Sequence, residues 1–395
     1  MRRSLYPTLL IVAPAFTFGA EPVRESPRML KVLVLEGTAR ERGRTHGKAM
    51  KDDIHRLLKL WKKNLATSFN TDADAFITRF VQKTTFLAAM KKWTPELVDE
   101  VEGIAEGAGI AFETMFVFQL LDEVWINGEA IVGERCSSLG FSRTGNRPAC
   151  IAQNMDLEPF YDGFQLVLHI KHNEANLESF VLTVPGFLGL NGVNNRSVAV
   201  CCNTLLQLSN CRDGLPVACV VRGVLQQRSE EDAAAFLHKV KHASGQNYVL
   251  GGPVRAASYE CSAHKVSPFT PRGRDGIVWH TNHPLASDDE SPQYRAMLKE
   301  QDALQRKEKN TRTRLECLEK RLLGVSAFPG VDRIKETLAS QDSKEFPICR
   351  PKGPSGMFTF ASTIMVLTEE PEFHVAPGPP NVTTYEKLSF SKRSR

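Results

Sequence analysis

Residues 133–142 read Gly-Glu-Arg-Cys-Ser-Ser-Leu-Gly-Phe-Ser, and the chain changes character there. Upstream, from about Thr38 to Glu129, apolar residues recur at helical spacing: Ile54, Leu57, Leu58, Trp61 and Leu65 form one stripe, and Thr94-Pro95-Glu96 is a start signal ahead of Leu97, Val98, Val101 and Ile104. Gly107 and Gly109 close that segment, in which no strand is evident. Downstream, short β-rich runs separated by turn residues cover Cys136–Ser142, Ala149–Met155, Gln165–Lys171, Ser179–Val184 and Val198–Asn203. Helical stretches follow at Leu215–Gln227 and Glu230–Val240, the second led by Ser229 with Asp232 behind it. β composition returns at Tyr248–Leu250, Ala256–Cys261, Gly276–Thr281 and Met357–Leu367, around a charged helical stretch, Pro292–Leu323. Strands, helices and strands again predict an α+β domain of two antiparallel sheets covered by helices.

A chain of 395 residues, 42% hydrophobic and 24% charged, can bury one large core or two modest ones. Its 50 Lys+Arg against 45 Asp+Glu leave a charge of +5, spread out and without aromatic interleaving, which argues against a nucleic-acid partner. The basic run Arg306–Arg321 is interleaved with Glu308, Glu316 and Glu319 and reads as a solvated helix face. No stretch approaches the roughly 20 apolar residues that cross a bilayer. In residues 1–20, Arg2 and Arg3 precede an apolar run, Leu9–Phe18, that ends at Gly19 and Ala20. That is the pattern of a signal peptide and predicts export, periplasmic or extracellular; an apolar N-terminal strand is the alternative. Nine cysteines show neither CxxC pairs nor the density of a disulfide scaffold, so most are expected to be small buried hydrophobes.

Cys136 enters a strand just after the turn at Gly133, which makes it a candidate nucleophile or, on position alone, one more small residue entering a sheet. Cys136-Ser-Ser-Leu-Gly-Phe141 followed by Ile151-Ala-Gln-Asn-Met-Asp156 resembles the nucleophile strand and next strand of the isopenicillin N acyltransferase (acyl-coenzyme A:6-aminopenicillanic acid acyltransferase) family. His280-Thr-Asn282-His283 and Phe346-Pro-Ile-Cys-Arg350 resemble its later motifs in the same order, and Gly37, Gly43, His46 and Gly47 its N-terminal Gly-x-x-His-Gly pattern. The resemblance spans roughly residues 36 to 385 and departs at Ser137-Ser138, where the family often has a threonine, and at Met155, where it often has an aromatic.

The resemblance implies the four-layer αββα sandwich of N-terminal nucleophile hydrolases and cleavage of the precursor just before Cys136. Residues 21–135 would then form a helical N-terminal chain and residues 136–395 the catalytic chain. The freed α-amine of Cys136, titrating at about 7.7 to 8.0, could accept the thiol proton, so nucleophile and base would be one residue. Asp156 would orient that amine, or else be a turn aspartate before Leu157-Glu-Pro159. Asn282 would donate to the oxyanion, with Asn203 as a second donor or simply a strand-end asparagine bonding a local turn. Arg350 would hold the thiolate or bind Asp156 bidentately, a surface arginine being the alternative. His280 and His283 lack a third well-spaced ligand, and neither metal nor cofactor is expected. The function expected is hydrolysis of a linear N-acyl amide, a small molecule, through a thioester on Cys136. Alternatives are a Cys–His hydrolase without self-cleavage, a coenzyme A-dependent acyltransferase of the penicillin-biosynthesis type, and a catalytically silent exported binding protein.

Overall fold

The computed structural model of the chain describes residues 29–127, 136–172, 176–300, 302–353 and 356–390. The apolar leader and the stretch Gly133–Arg135 lie outside these residues. The chain opens with a strand, β1 (Lys31–Leu35), and seven helices: α1 (Ala39–Ala49), α2 (Lys51–Phe69), α3 (Ala73–Lys83), α4 (Phe86–Trp93), α5 (Pro95–Ala108), α6 (Phe112–Phe118) and α7 (Leu121–Asn127). The expected stripes are buried: Ile54, Leu57, Leu58, Trp61 and Leu65 on α2, and Leu97, Val98, Val101 and Ile104 on α5, where Pro95 opens the first turn.

α1 starts at a capping box, Thr38 accepting from the Glu41 N–H while Glu41 accepts from the Thr38 N–H. It then lies directly against α5. A Cβ at Gly43 would fall 2.0 Å from the Glu100 carbonyl oxygen, and one at Gly107 2.4 Å from that of Arg44. Gly43 and Gly47 of the N-terminal motif are thus a helix-crossing device.

After residue 136 come β2 (Ser137–Phe141), β3 (Ala149–Leu157), β4 (Leu166–Lys171), β5 (Glu178–Thr183), β6 (Asn191–Asn194) and β7 (Ala199–Thr204). The helices α8 (Val217–Leu225) and α9 (Glu230–Lys239) follow, then β8 (Gln246–Gly251), β9 (Ala256–Cys261), β10 (Val266–Phe269) and β11 (Ile277–His280). The chain continues through α10 (Pro292–Glu300), α11 (Asp302–Leu322) and α12 (Val331–Leu338) to β12 (Phe358–Leu367), β13 (Glu372–Ala376) and β14 (Glu386–Ser389).

An eight-stranded sheet runs β1-β4-β5-β6-β7-β8-β9-β10, and a six-stranded one β11-β2-β3-β12-β13-β14. β2 and β3 of the second pack on β7, β8 and β9 of the first; α8 and α9 cover the outer face of the first sheet, α11 and α12 that of the second. The protein is therefore an αββα sandwich. Among the described strands of the two sheets, β1 departs from antiparallel pairing, joining β4 in parallel at the sheet edge. This strand falls inside the segment expected to be purely helical. Lys31-Val-Leu-Val-Leu35 is an edge strand with Val32 and Val34 left partly exposed, so it shows no continuous buried run.

Strand parity then sorts the side chains. Leu139, Phe141, Cys150 and Ala152 face the apolar layer under α11 and α12, whereas Cys136, Ile151 and Met155 face the core between the sheets. That inner core crosses residue 136: it joins Leu57, Val101 and Phe118 from before it to Val167, Val200 and Val249 after it.

Candidate functional site

Cys136 sits at the start of β2, 1% exposed. The β2–β3 register pairs Ser137 with Asn154, which sets Cys136 opposite Met155, and the Cys136 Sγ lies 3.4 Å from the Met155 Sδ. The departure at Met155 noted in the sequence therefore forms a wall of the thiol site, with a soft and weakly accepting sulfur.

The main-chain N–H of Cys136 donates to Asn282 Oδ1 at 2.9 Å, while Asn282 Nδ2 donates to the Thr204 carbonyl at 3.1 Å. Arg314 Nη2 also donates to Asn282 Oδ1, at 2.7 Å, so two donors fix which end of the amide is oxygen. Asn282 is itself held by Thr311, whose hydroxyl accepts from the Asn282 N–H at 2.6 Å.

Arg314 is the residue that sequence reasoning missed. It lies in the stretch taken as a solvated helix face, yet it is 0% exposed. Its Nη1 donates to the Cys136 carbonyl at 2.5 Å and to Ser137 Oγ at 2.9 Å, and its Nε to Asn310 Oδ1 at 3.0 Å. The signal was present: Asn310, Arg314, Leu318 and Leu322 recur every fourth residue along α11, and all four are buried. The charges at Lys309, Arg312 and Lys320 on the other faces concealed that stripe.

Asp156, 1% exposed, adjoins Met155 on β3. It shares the parity of Cys150, Ala152 and Asn154, so it leaves the sheet on the face away from the thiol. Thr359 donates to its Oδ1 at 2.8 Å, and Arg350 Nε approaches its Oδ2 at 3.7 Å. The bidentate clamp expected of Arg350 is not formed: Nε donates instead to the Met357 carbonyl at 3.1 Å. Arg350 is nonetheless not a surface arginine, its side chain being 14% exposed.

Asn203, at the end of β7, makes no local turn bond. Its Oδ1 accepts from Ser138 Oγ at 2.6 Å and from Asn247 Nδ2 at 3.1 Å, and its Nδ2 faces the His280 carbonyl at 3.5 Å. It ties the two sheets together, one strand position beyond Ser137.

The histidines are absorbed by the scaffold. His280 Nε2 meets Glu260 at 2.9 Å, a carboxylate that also accepts from the N–H groups of Leu285, Ala286 and Ser287. His283 is pushed down to about 3 by burial and nearby cations and faces Thr311. His46, buried and pushed down to about 4, accepts from the Gly186 N–H at 2.9 Å. All nine cysteines are free thiols, and Cys150, Cys201, Cys219 and Cys261 are fully buried with their thiols pushed up by desolvation. Among the described residues no three His, Cys, Asp or Glu side chains are grouped to hold a metal ion, and no helix is long and apolar enough to cross a membrane.

Carboxylates crowd the other side of Asn282. Asp122 on α7 accepts from Thr204 Oγ1 at 2.8 Å, next to Glu123, which takes the Val217 N–H and Ser244 Oγ. Burial pushes Asp122 up, and it pushes Glu123 and Glu158 up to about 7.

The chain is similar to a variant of the conjugated bile acid hydrolase of Clostridium perfringens, at 12% identity over 65% of this chain and 97% of that one, with a TM-score of 0.43. It is similar also to the penicillin V acylase of Agrobacterium tumefaciens, at 12% identity over 61% of this chain and 83% of that one, with a TM-score of 0.38. No curated protein matches its sequence. The family model for acyl-coenzyme A:6-aminopenicillanic acid acyl-transferase matches residues 142–374, beginning just after the strand that Cys136 opens. With more than half of its length matched, the chain belongs to the acyl-coenzyme A:6-aminopenicillanic acid acyl-transferase family.

Proposed function

We propose that this chain is a self-processing cysteine amidohydrolase that cuts itself before Cys136 and then cleaves a linear N-acyl amide through a thioester on that residue. The observation that carries the reading is the hydrogen bond from the Cys136 nitrogen to Asn282 Oδ1, made at the nitrogen that cleavage would turn into a free amine. The thiol attacks the carbonyl of Arg135, the acyl chain moves from nitrogen to sulfur, and water hydrolyses the ester. Residues 21–135 then form the N-terminal chain and residues 136–395 the catalytic one. The new α-amine takes the thiol proton when substrate is attacked and returns it to the leaving amine.

Asn282 has two amide protons, one directed at Thr204; the other is available to the oxyanion. Asn203 is the second candidate donor, through an Nδ2 whose contact with His280 is long. Asp156, on the face away from the sulfur, is suited to the amine rather than the thiol, with Arg350 Nε 3.7 Å from its Oδ2. Export, inferred from residues 1–20, would separate the enzyme from coenzyme A and make water the acceptor. Coenzyme A-dependent acyl transfer is the second reading, favoured by the activity named in the family's description.

Intact mass spectrometry of the purified protein tests the proposal. Two associated chains are expected, the larger beginning at Cys136, and Cys136→Ala should remain one inactive chain. Active enzyme with an intact Arg135–Cys136 bond would refute it. Incubating processed enzyme with N-acyl amides, with and without coenzyme A, should yield free acid in both cases; product formed only with the carrier would establish transfer.

A further inference from the structure

A cavity of about 570 Å³ beside Thr38, Arg42 and Arg228, and another of about 580 Å³ beside Phe269 and Trp279, are not lined by Cys136, Asn282 or Arg314. The strongest unabsorbed feature is the guanidinium buried against the nucleophile residue itself.

We propose that Arg314 is the positioning residue that keeps the α-amine of processed Cys136 in its neutral, proton-accepting form. This rests on the processing proposed above. Arg314 grips Cys136 at two points: directly through the carbonyl, and indirectly through Asn282 Oδ1, the atom that also accepts from the Cys136 nitrogen. A guanidinium stays charged at every working pH. Fixed this close to the nitrogen and shut away from water, it disfavours a second positive charge there, so the ammonium form is lost at lower pH than in a free N-terminus. The same grip restricts the amine lone pair to two of its three staggered directions, because one N–H must keep pointing at Asn282.

Other charged groups face this corner from each surrounding element. Asp156 with Arg350 comes from β3 and the segment before β12, and Asp122 on α7 reaches Thr204, whose carbonyl accepts from Asn282; Glu123 beside it is turned to Val217 and Ser244, and Glu158 lies near Asp122 and Lys307. His280 is matched by Glu260, and His283 by Thr311; Glu308 is turned to Gln207, which donates to the Asn282 carbonyl. Asp156 opposes Arg314 by favouring the ammonium. Asp122, Glu123 and Glu158 are pushed towards their neutral forms by burial and oppose it less.

Arg314→Gln and Arg314→Lys test this in the full chain, once mass spectrometry has shown wild type to be cut before Cys136. An uncut, active wild type would refute the processing reading and this inference with it. With wild type cut, kcat/KM is measured against pH for all three proteins. In Arg314→Gln the acid limb should move up by about one pH unit, a loss of about tenfold on that limb. Arg314→Lys keeps the charge but not the two-point grip, so it should retain the wild-type limb with a lower kcat. An acid limb unmoved in Arg314→Gln, or moved equally in both variants, would overturn the proposal. So would loss of the cooperative melt in both, or folded chains that stay uncut, either of which would assign Arg314 to the fold or to the cut.

Discussion

Two of the buried charged corners among the described residues are built in opposite ways. Between α1, α5 and α8, Glu100 receives both terminal nitrogens of Arg222, at 2.7 and 2.9 Å, and one of Arg42 at 3.2 Å. Burial alone would raise Glu100, but the two guanidiniums override it and hold it at about 2. At the start of β2, by contrast, the described contacts of Arg314 go to a peptide carbonyl, a hydroxyl and two amide oxygens, all neutral. One carboxylate gripped by two guanidiniums makes a clamp, which locks three helices. The grip of Arg314 is made instead at the residue whose proton the proposed chemistry moves.

The sharpest way to break this contrast is to disarm each corner in turn. Glu100→Gln leaves Arg42 and Arg222 buried without their carboxylate and should cost about 3–5 kcal/mol of stability, read from denaturant melts. Turnover by the folded fraction should be unchanged; a parallel fall in turnover would mean that the clamp reaches the site. Asn282→Ala should behave in reverse. Its melt should move little, while kcat falls by an amount equivalent to about 2.7–4 kcal/mol, the usual worth of one oxyanion donor. A raised KM with kcat intact would reduce Asn282 to a substrate-positioning group.

The difference between the corners also accounts for what the sequence could disclose. Strands with β-rich composition between turn residues were legible, and β9 (Ala256–Cys261) has the limits expected from sequence. β6 was not, because Asn191-Gly-Val-Asn194 has the composition of a turn and becomes a strand only through pairing with β5 and β7. The motif around Gly43, His46 and Gly47 was legible only as a family pattern, with no role attached. In the structure it is a close helix crossing in which the imidazole accepts one N–H. Cys136, Asp156 and Asn282 could be picked out because each belongs to a short ordered motif. Arg314 belongs to no such motif: its four-residue stripe marks it as core-facing, but its contact with Cys136 depends on α11 folding back over the start of β2.

A smaller effect separates the helical motif from the site by pH. His46 is buried and held at about 4, mainly because desolvation penalises its charged form, with Glu100 opposing and Arg222 adding to the shift. Its Nε2 must be unprotonated to accept from Gly186, so the single proton sits on Nδ1. An unfolded chain binds the second proton near pH 6.5 and the folded chain only near 4. Between those values the unfolded state holds more protons, and stability due to this group is full above about pH 6.5 and drains away as pH falls towards 4. The loss runs at no more than about 1.4 kcal/mol per pH unit. Glu123 and Glu158, both raised, act in the opposite sense over part of the same range, so the raw melting curve mixes the contributions. The comparison that isolates His46 is the difference between wild type and His46→Gln, whose amide oxygen can still accept from Gly186. That difference should widen in favour of wild type as pH rises from 4 to 6.5 and then stay level, while the pH dependence of kcat/KM is the same in both proteins. A shifted kinetic profile would tie the N-terminal motif to catalysis and erase the distinction between the two corners.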